Sequence, residues 1–441
     1  MRTFESAGIA VPDVLLPKQG AALDRWAVVA CDQYTSQPEY WAEVKRIAGD
    51  SPSTLNIIYP EVFLNEADPD SRIRNIRASM RGYLDSGLFE SREGLVYVER
   101  TVEGRTRRGI VACIDLEKYD YNRGSTTLVR ATEGTILERI PPRVRIRKGA
   151  PLELPHILIL VDDPDDAMIG PVAAAKAKLE KVYDFELMQK GGHLAGYRVN
   201  DAALEKGVID ALGRLADPAK FQAKYDLKAQ TPVLLFAVGD GNHSLATAKA
   251  IWEDAKKEGA GLDSPLRWAL VELENLHDKA LVFEPIHRVL FHLAQGRDIL
   301  QELEAHYPGK VKRVPVPNVD ALKKLVESSD RTTHRIGVMH AAGYEVLEVT
   351  GSPAGLPVGT LQAFLDPFVK GGGAKEIDYV HGTEVVDELG RKPGNIGFFL
   401  PGMDKHDLFR SVILDGVLPR KTFSMGEAHE KRFYMECRRL G

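Results

Sequence analysis

The chain has 441 residues, a hydrophobic content of 44%, a charged content of 27% and a net charge of −5. This length allows two or three domains with substantial cores. The slightly acidic balance gives no overall positive field that would hold nucleic acid or an anionic membrane surface, so we expect neither as a partner.

The cysteines and the apolar runs exclude further classes of protein. Cys31, Cys113 and Cys437 are far apart and form no C-x-x-C pair, which excludes zinc ribbons and thioredoxin-type sites. The N-terminal residues lack the pattern of a secretory signal, and no apolar run is long enough to span a bilayer. We therefore predict a cytoplasmic protein.

Strand and helix patterns alternate through the first part of the chain. Their periodicity predicts strands at 26–30, 94–98, 107–114, 156–161, 268–276 and 281–290, and helices at 38–48, 71–84 and 171–182. The dipeptide Glu103-Gly104 predicts that the strands at 94–98 and 107–114 form a β-hairpin.

The segment from Arg139 to Lys148 is strongly basic. Arg143, Arg145 and Arg147 alternate with apolar residues, and on a strand this spacing would place three guanidinium groups on one face. Such a face could clamp a polyphosphate, because arginine binds phosphate oxygens bidentately. A solvated strand face is the more common outcome of a charge run.

The most informative segment is Asp-Gly-Asn-His-Ser at residues 240–244, which we call the box. An apolar run at 232–238 predicts a buried strand before it, and the apolar spacing from Leu245 to Ala255 predicts a helix after it. The amides at the start of such a helix suit a phosphate. The alternative, a turn in which Asp240 or Ser244 only caps the helix, stays open on spacing alone. The residues expected to contact the phosphate are Gly239, Asp240, Gly241, Asn242, His243 and Ser244.

Beyond residue 290 a second α/β alternation begins. It predicts strands at 335–339, 344–349 and 396–400 and a helix at 360–369. We therefore predict a mixed α/β fold with a core at 1–290 and a smaller α/β region at 291–441, although no Gly/Ser/Pro-rich linker marks the boundary.

Several common catalytic motifs are not present. A dinucleotide fingerprint fails because Ser244 stands where its third glycine is needed, and the glycine run at 371–373 lacks the Gly-Lys-Ser/Thr of a Walker loop. A zincin motif starting at His429 fails at Phe433, and no G-x-S-x-G elbow occurs.

Glu133 and the acidic run at 162–166 are further candidates. Glu133 lies beside a glycine and two threonines in a predicted loop, where it would serve as a general base or only as a cap. The acidic run follows a strand and could hold magnesium, but we favour a solvated loop with a helix cap.

Four separated motifs, at 26–41, 240–249, 283–288 and 418–423, resemble the domain of unknown function 1015 family, from near residue 10 to the C-terminus. Members often carry Asp-Gly-His-His-Arg where this chain has the box. That motif is similar to the phosphate-binding box of the ParB/sulfiredoxin superfamily, which includes ParB domains, sulfiredoxin and a free-serine kinase. The resemblance implies a ParB/sulfiredoxin-like nucleotide-binding core.

The chemistry of the box separates these relatives. Sulfiredoxin needs a cysteine where this chain has Asn242, and ParB proteins need DNA-reading helices that the sequence does not show. Resemblance to the kinase makes Glu133 the candidate base, Asp240 a magnesium or phosphate ligand, and His243 a contact to the transferred phosphoryl group.

Ser244 stands where the kinase has arginine, so a positive charge is missing from the box. The residues that could supply it from elsewhere in the fold are Arg130, Arg143, Arg288 and Lys421. Lys421 would do so if the end of the C-terminal region returns to the site.

We therefore predict a kinase that uses ATP or ADP with Mg²⁺ to phosphorylate the hydroxyl of a small metabolite, with free serine favoured by the resemblance and by the tendency of the family to lie near serine-biosynthesis genes. The alternatives are a non-catalytic nucleotide-binding regulator and a metal-assisted phosphohydrolase that uses Asp240 and His243. Whether the protein forms a homodimer is left open.

Overall fold

The computed structural model describes residues 1–122, 124–228 and 230–441, which form two compact units. The first unit comprises Met1–Leu281 and Gly426–Gly441, and the second comprises Val282–Met425. The predicted boundary between residues 290 and 291 falls inside the strand Phe283–Leu293. No linker separates the units, so composition gave no signal of this boundary or of the return of the chain to the first unit.

The first unit is built around a mixed sheet. In the described part of the chain its main strands, in spatial order, are Glu180–Glu186, His193–Val199, Leu95–Val102, Arg105–Asp115, Trp268–Asn275, Leu158–Val161, Phe236–Asp240, Val129–Ala131 and Tyr119–Asp120. At the side, Ile9–Val11 pairs with Arg105–Asp115 and with Arg2–Phe4.

Three short antiparallel pairs complete the strands of this unit. They are Asp13–Pro17 with Phe89–Glu93, Val28–Val29 with Phe433–Tyr434, and Leu152–Glu153 with Arg438–Arg439. The last two pairs join the C-terminal segment, Gly426–Gly441, to the body of the unit.

Helices pack on both faces of the sheet. Because successive side chains of a strand point to opposite faces, alternate residues of a central strand are buried in different cores. Val96 and Val98 pack in one hydrophobic core, whereas Leu95 and Tyr97 pack in the other. The α-helices of the unit are Leu23–Trp26, Pro38–Ala48, Pro69–Asp85, Ile140–Arg147, Gly170–Ala175, Ala202–Leu215, Pro218–Tyr225 and Asn242–Lys257.

The second unit has its own sheet and core. Its strands, in spatial order, are Val311–Val316, Gly343–Thr350, Thr333–His340, Ile396–Phe399, Phe283–Leu293 and Ala374–His381, with Phe423–Met425 paired to Phe283–Leu293. Its α-helices are Ile299–His306, Val319–Val326, Pro357–Lys370, Thr383–Gly390 and Leu408–Asp415.

The mixed α/β prediction is confirmed, and most predicted elements are present. The helix at 38–48 has the predicted bounds, and the hairpin turns at Glu103 and Gly104, which have φ angles of 49° and 77°. The strand at 26–30 is reduced to Val28–Val29, and the helix at 171–182 ends at Ala175 before the strand Glu180–Glu186. In the described residues no helix is both long and apolar enough to cross a membrane.

The basic segment is a helix rather than the predicted strand. Pro141 and Pro142 lie in the first turn of Ile140–Arg147, where a missing amide hydrogen costs no helical hydrogen bond. Every guanidinium of the predicted clamp also has a carboxylate partner: Arg143 pairs with Glu61, Arg145 with Asp70 and Arg147 with Glu153. The three groups therefore do not form one phosphate-binding face.

Candidate functional site

The box forms the predicted strand-to-helix turn. The box strand, Phe236–Asp240, ends at Asp240, and the box helix, Asn242–Lys257, begins two residues later. Gly241 connects them with a φ of 78°, and its amide donates to Asp240 Oδ1 at 2.9 Å. The first amides of an α-helix have no acceptor within the helix, and the helix dipole adds positive potential there. This end of the box helix is thus suited to an anion.

Gly241 allows the turn because it has no side chain. A Cβ here would lie 3.0 Å from Ile157 Cα, and the left-handed φ costs other residues about 1–2 kcal/mol. We expect Gly241→Ala to lower the free energy of unfolding by at least this amount in urea denaturation. Gly213→Ala is the control, because Gly213 is helical with open space around it and alanine there should stabilise by about 0.5–1 kcal/mol. Equal effects of the two changes would contradict this explanation.

The structure places the Glu133 loop beside the box. The strand Val129–Ala131 runs parallel to the box strand, with Ala131 opposite Val238, so both strands end at the same edge of the sheet. Thr132 Oγ1 donates to the carbonyl oxygen of Val238 at 2.7 Å. Further along, the amide of Ile136 donates to His243 Nε2 at 3.3 Å. Glu133 is half-buried and lies in sequence between Thr132 and Ile136, the residues that make these two contacts.

A lysine from the C-terminal segment supplies a positive charge at the box. Lys431 Nζ lies 3.0 Å from Asp240 Oδ2, and the Lys431 side chain is only 9% exposed. Lys431 was not among the predicted sources of this charge, which were Arg130, Arg143, Arg288 and Lys421. No local pattern singles out Lys431, because it reaches the box only through the return of Gly426–Gly441 to the first unit.

The four predicted positive groups have contacts of their own, and a role for each of them in phosphate binding stays a prediction. Arg130 is buried and donates to the carbonyl oxygens of Thr127, Pro232 and Val233, and burial lowers its pKa to about 10. Arg143 pairs with Glu61, as described above. Arg130 therefore holds backbone that precedes the two strands of the site.

Arg288 and Lys421 belong to the second unit. Arg288 is fully buried there and donates to Gln362 Oε1 at 3.3 Å and to the carbonyl oxygens of Ile286 and Arg420. Lys421 is exposed and has a φ of 56°. A role for either residue in phosphate binding stays a prediction.

His156, which was not among the predicted site residues, also contacts the box. Its Nε2 lies 2.8 Å from Ser244 Oγ, and its Nδ1 lies 2.8 Å from the hydroxyl of Tyr434. The amide of Cys31 donates to the same hydroxyl at 3.2 Å. Tyr434 comes from the C-terminal segment, so this segment contributes both Tyr434 and Lys431 to the surroundings of the box.

Two carboxyl groups face this cluster. Burial raises the pKa of Asp32, but the charges of His156 and Lys431 and a hydrogen bond from Gln33 outweigh burial and lower it. Burial also raises the pKa of Glu61, and there it prevails over the charge of Arg143. The box therefore lies in a strongly charged, half-buried environment.

Glu274 lies near the Asp240–Lys431 pair on the central sheet. It is fully buried, and its Oε1 lies 2.7 Å from Arg107 Nε. Burial raises the pKa of Glu274 to about 7, which the charge of Arg107 only partly opposes, while Asp278 and Asp240 raise it further. This carboxyl group therefore changes charge near neutral pH.

The raised pKa of Glu274 predicts a pH-dependent stability. Between about pH 7 and its ordinary value of 4.5 the folded state binds more protons at this group than the unfolded state, so its contribution to stability rises as pH falls. We expect the free energy of unfolding of the wild type, relative to Glu274→Gln, to rise by up to about 3 kcal/mol from pH 8 to pH 5. Urea denaturation across this range measures the difference, and a constant difference would contradict the assignment.

The surroundings of Asp240 limit how it could bind the expected Mg²⁺. Both Asp240 oxygens have partners, Gly241 N and Lys431 Nζ. In the described part of the chain, no group of three His, Cys, Asp or Glu residues could hold a metal ion. The arrangement fits only a Mg²⁺ that binds mainly to substrate phosphates and takes one carboxylate from the protein.

Comparison with known proteins identifies the family. The family described as Protein of unknown function (DUF1015) matches residues 15–368. The chain therefore belongs to this family. No curated protein matches the sequence.

Solved structures give distant matches. A variant of a free serine kinase in complex with ADP matches with a TM-score of 0.40 and 10% identity, covering 76% of this chain and 94% of that chain. The free serine kinase in complex with AMP matches with a TM-score of 0.39 and 11% identity, covering 74% of this chain and 90% of that chain. SbnI with a C-terminal truncation from Staphylococcus aureus matches with a TM-score of 0.35 and 10% identity, covering 74% of this chain and 82% of that chain.

Proposed function

We propose that this protein binds a nucleotide at the box and transfers its terminal phosphoryl group to the hydroxyl of a small metabolite. The observation that carries this proposal is the position of Lys431, whose ammonium group pairs with Asp240 at the N-terminal end of the box helix. Helix amides and an ammonium group at one place are a general means of neutralising phosphate.

Phosphoryl transfer needs few groups from a protein. It needs in-line positioning, neutralisation of the charge on the phosphoryl oxygens and a base for the acceptor hydroxyl. In this proposal the box amides and Lys431 neutralise the charge, His243 contacts the transferred group, and Glu133 takes the proton of the acceptor. The shared sheet edge of the Glu133 loop and the box supports this division of roles.

The remaining parts of the proposal depend on the resemblance of the box to that of the ParB/sulfiredoxin superfamily. They are ATP or ADP as the phosphoryl donor, free serine as the acceptor and a ParB/sulfiredoxin-like core. Asp240 would be the protein ligand of Mg²⁺, which would arrive with the nucleotide and offset the charge of its phosphates. The cytoplasmic location and the homodimer stay predictions.

Nucleotide binding is tested by thermal unfolding. A ligand at a hundredfold excess over its dissociation constant stabilises the folded state by about 2.7 kcal/mol. We expect ATP or ADP with Mg²⁺ to raise the melting temperature of the wild type, and Gly241→Ala to reduce the rise. Unchanged melting curves with ATP, ADP and CTP would contradict the proposal.

Catalysis is tested separately from binding. A non-catalytic nucleotide-binding protein would show the thermal shift but would not consume nucleotide with any acceptor. A phosphohydrolase would release inorganic phosphate without one. We expect nucleotide consumption to depend on a hydroxyl-bearing acceptor, and a screen of amino acids and sugars with separate detection of phosphate measures this.

A further inference from the structure

The hydrogen-bonded side chains of Ser244, His156 and Tyr434 have no chemical role in the function proposed above. Both hydrogen bonds between them are 2.8 Å long, and His156 and Tyr434 are 9% and 2% exposed. A hydroxyl, an imidazole that it contacts and a third group that orients the imidazole are the arrangement of an activated nucleophile. The position of Ser244 in the first turn of the box helix places this hydroxyl where the phosphate is expected.

Asp32 and Glu61 lie within electrostatic reach of His156, so the imidazole that would act as the base lies beside two carboxyl groups. Arg143 pairs with Glu61, and Lys431 acts on Asp32, so both carboxylates are also held by cations.

We propose that Ser244 is a nucleophile that accepts the terminal phosphoryl group of the nucleotide, with His156 as its base, so that the reaction proceeds through a phosphoserine. This inference rests on the proposed function, which requires only that a phosphoryl group reaches an acceptor. The relevant tautomer has a proton on Nδ1, and the oxygen of Tyr434 accepts from Nδ1 and from the amide of Cys31.

The two steps balance in atoms and protons. In the first, Ser244 Oγ bonds to the terminal phosphorus, the bond from phosphorus to the bridging oxygen breaks, and the proton of Ser244 moves to His156 Nε2. The nucleotide leaves one phosphate shorter. In the second, the acceptor oxygen bonds to phosphorus and gives its proton to Glu133, the bond to Oγ breaks, and His156 returns its proton to Oγ.

The environment suits the intermediate. A phosphoryl group on Ser244 Oγ would lie at the N-terminal end of the box helix, where the dipole and the first amides stabilise negative charge. Lys431 lies at the same end of the helix, because its partner Asp240 precedes the N-cap residue Gly241.

The test is exchange between MgATP and labelled ADP in the absence of an acceptor, together with the intact mass of the protein. We expect the wild type to catalyse exchange, to gain one phosphoryl group and to carry it on the peptide with Ser244. Ser244→Ala should abolish both signals, whereas Ser328→Ala, which removes an exposed serine in the second unit, should change neither. Glu133→Gln should retain exchange, because Glu133 acts only on the acceptor.

Tyr434→Phe distinguishes a chemical role from a structural one. Loss of the oxygen that orients Nδ1 should slow exchange about tenfold or more while the dissociation constant for the nucleotide stays the same. Turnover with an acceptor but without exchange or label would overturn this inference and leave the proposed function standing. Exchange that persists in Ser244→Ala would also overturn it, and failure to bind any nucleotide would overturn both.

Discussion

Glu133→Gln is expected to reduce turnover by about 10²–10⁴-fold while nucleotide affinity remains close to that of the wild type, because one acid–base group contributes this much to a rate. Glutamine has the shape of glutamate but cannot take a proton from the acceptor hydroxyl. Thr132 and Ile136 hold the two sides of the loop through contacts of their own, and the isosteric change at Glu133 leaves both contacts in place. Nucleotide affinity and steady-state turnover of one preparation are the measurements.

The matched control is Glu138→Gln. Glu138 is exposed in the short helix Leu137–Arg139, five residues along the same connection, and its replacement should leave turnover unchanged. If Glu133 is only a structural residue, its replacement will lower stability and turnover together. Wild-type turnover in a folded Glu133→Gln protein would refute the assignment.

Lys431→Met is expected to cause a large loss of nucleotide affinity. Charge-assisted hydrogen bonds contribute about 1.5–3 kcal/mol, so we expect the dissociation constant for ATP or ADP to rise by about 10- to 150-fold. The change also leaves the partly buried carboxylate of Asp240 without its cation, which should lower stability. The double variant Lys431→Met with Asp240→Asn removes that carboxylate charge, and its comparison with Asp240→Asn alone, which already lacks the proposed Mg²⁺ ligand, separates the two effects. Isothermal titration with nucleotide and urea denaturation measure them.

Comparison with Lys421→Met decides which lysine acts at the box. Lys421 is one of the four residues that the sequence offered for this charge, whereas the structure pairs Lys431 with Asp240. We expect Lys431→Met to cause the larger loss of affinity and Lys431→Arg to keep most of it, because arginine retains the charge. A greater loss in Lys421→Met would instead support the role predicted for that residue.

Local sequence patterns predicted most of the fold. Period-two alternation identified the hairpin strands Leu95–Val102 and Arg105–Asp115, and Pro38 marked the start of its helix. The prediction of a strand for the basic segment was wrong. The alternation of arginine with apolar residues fits a strand, but the two prolines favour the first turn of a helix. The order of the strands and the division into two units could not be predicted. Both depend on contacts between residues that are distant in sequence, and local periodicity gives no information about such contacts.

The candidate site was predictable only where its residues are close in sequence. The box, Gly241 at a positive φ and the following helix could be located from the apolar runs around them. Lys431, Tyr434 and His156 could not, because the first two reach the box from the C-terminal segment and His156 reaches it from two residues before the strand Leu158–Val161. A site whose residues come from distant segments of the chain has no characteristic spacing in the sequence by which it could be recognised.

The return of Gly426–Gly441 to the first unit sets an order for folding during synthesis. The strands Phe433–Tyr434 and Arg438–Arg439 pair with Val28–Val29 and Leu152–Glu153, so these pairs cannot form until the ribosome has made both ends. The second unit, Val282–Met425, is contiguous and can fold while the first still lacks these strands. A chain truncated after residue 425 and released from the ribosome would therefore contain a complete second unit and an incomplete first one, without Lys431 at the box.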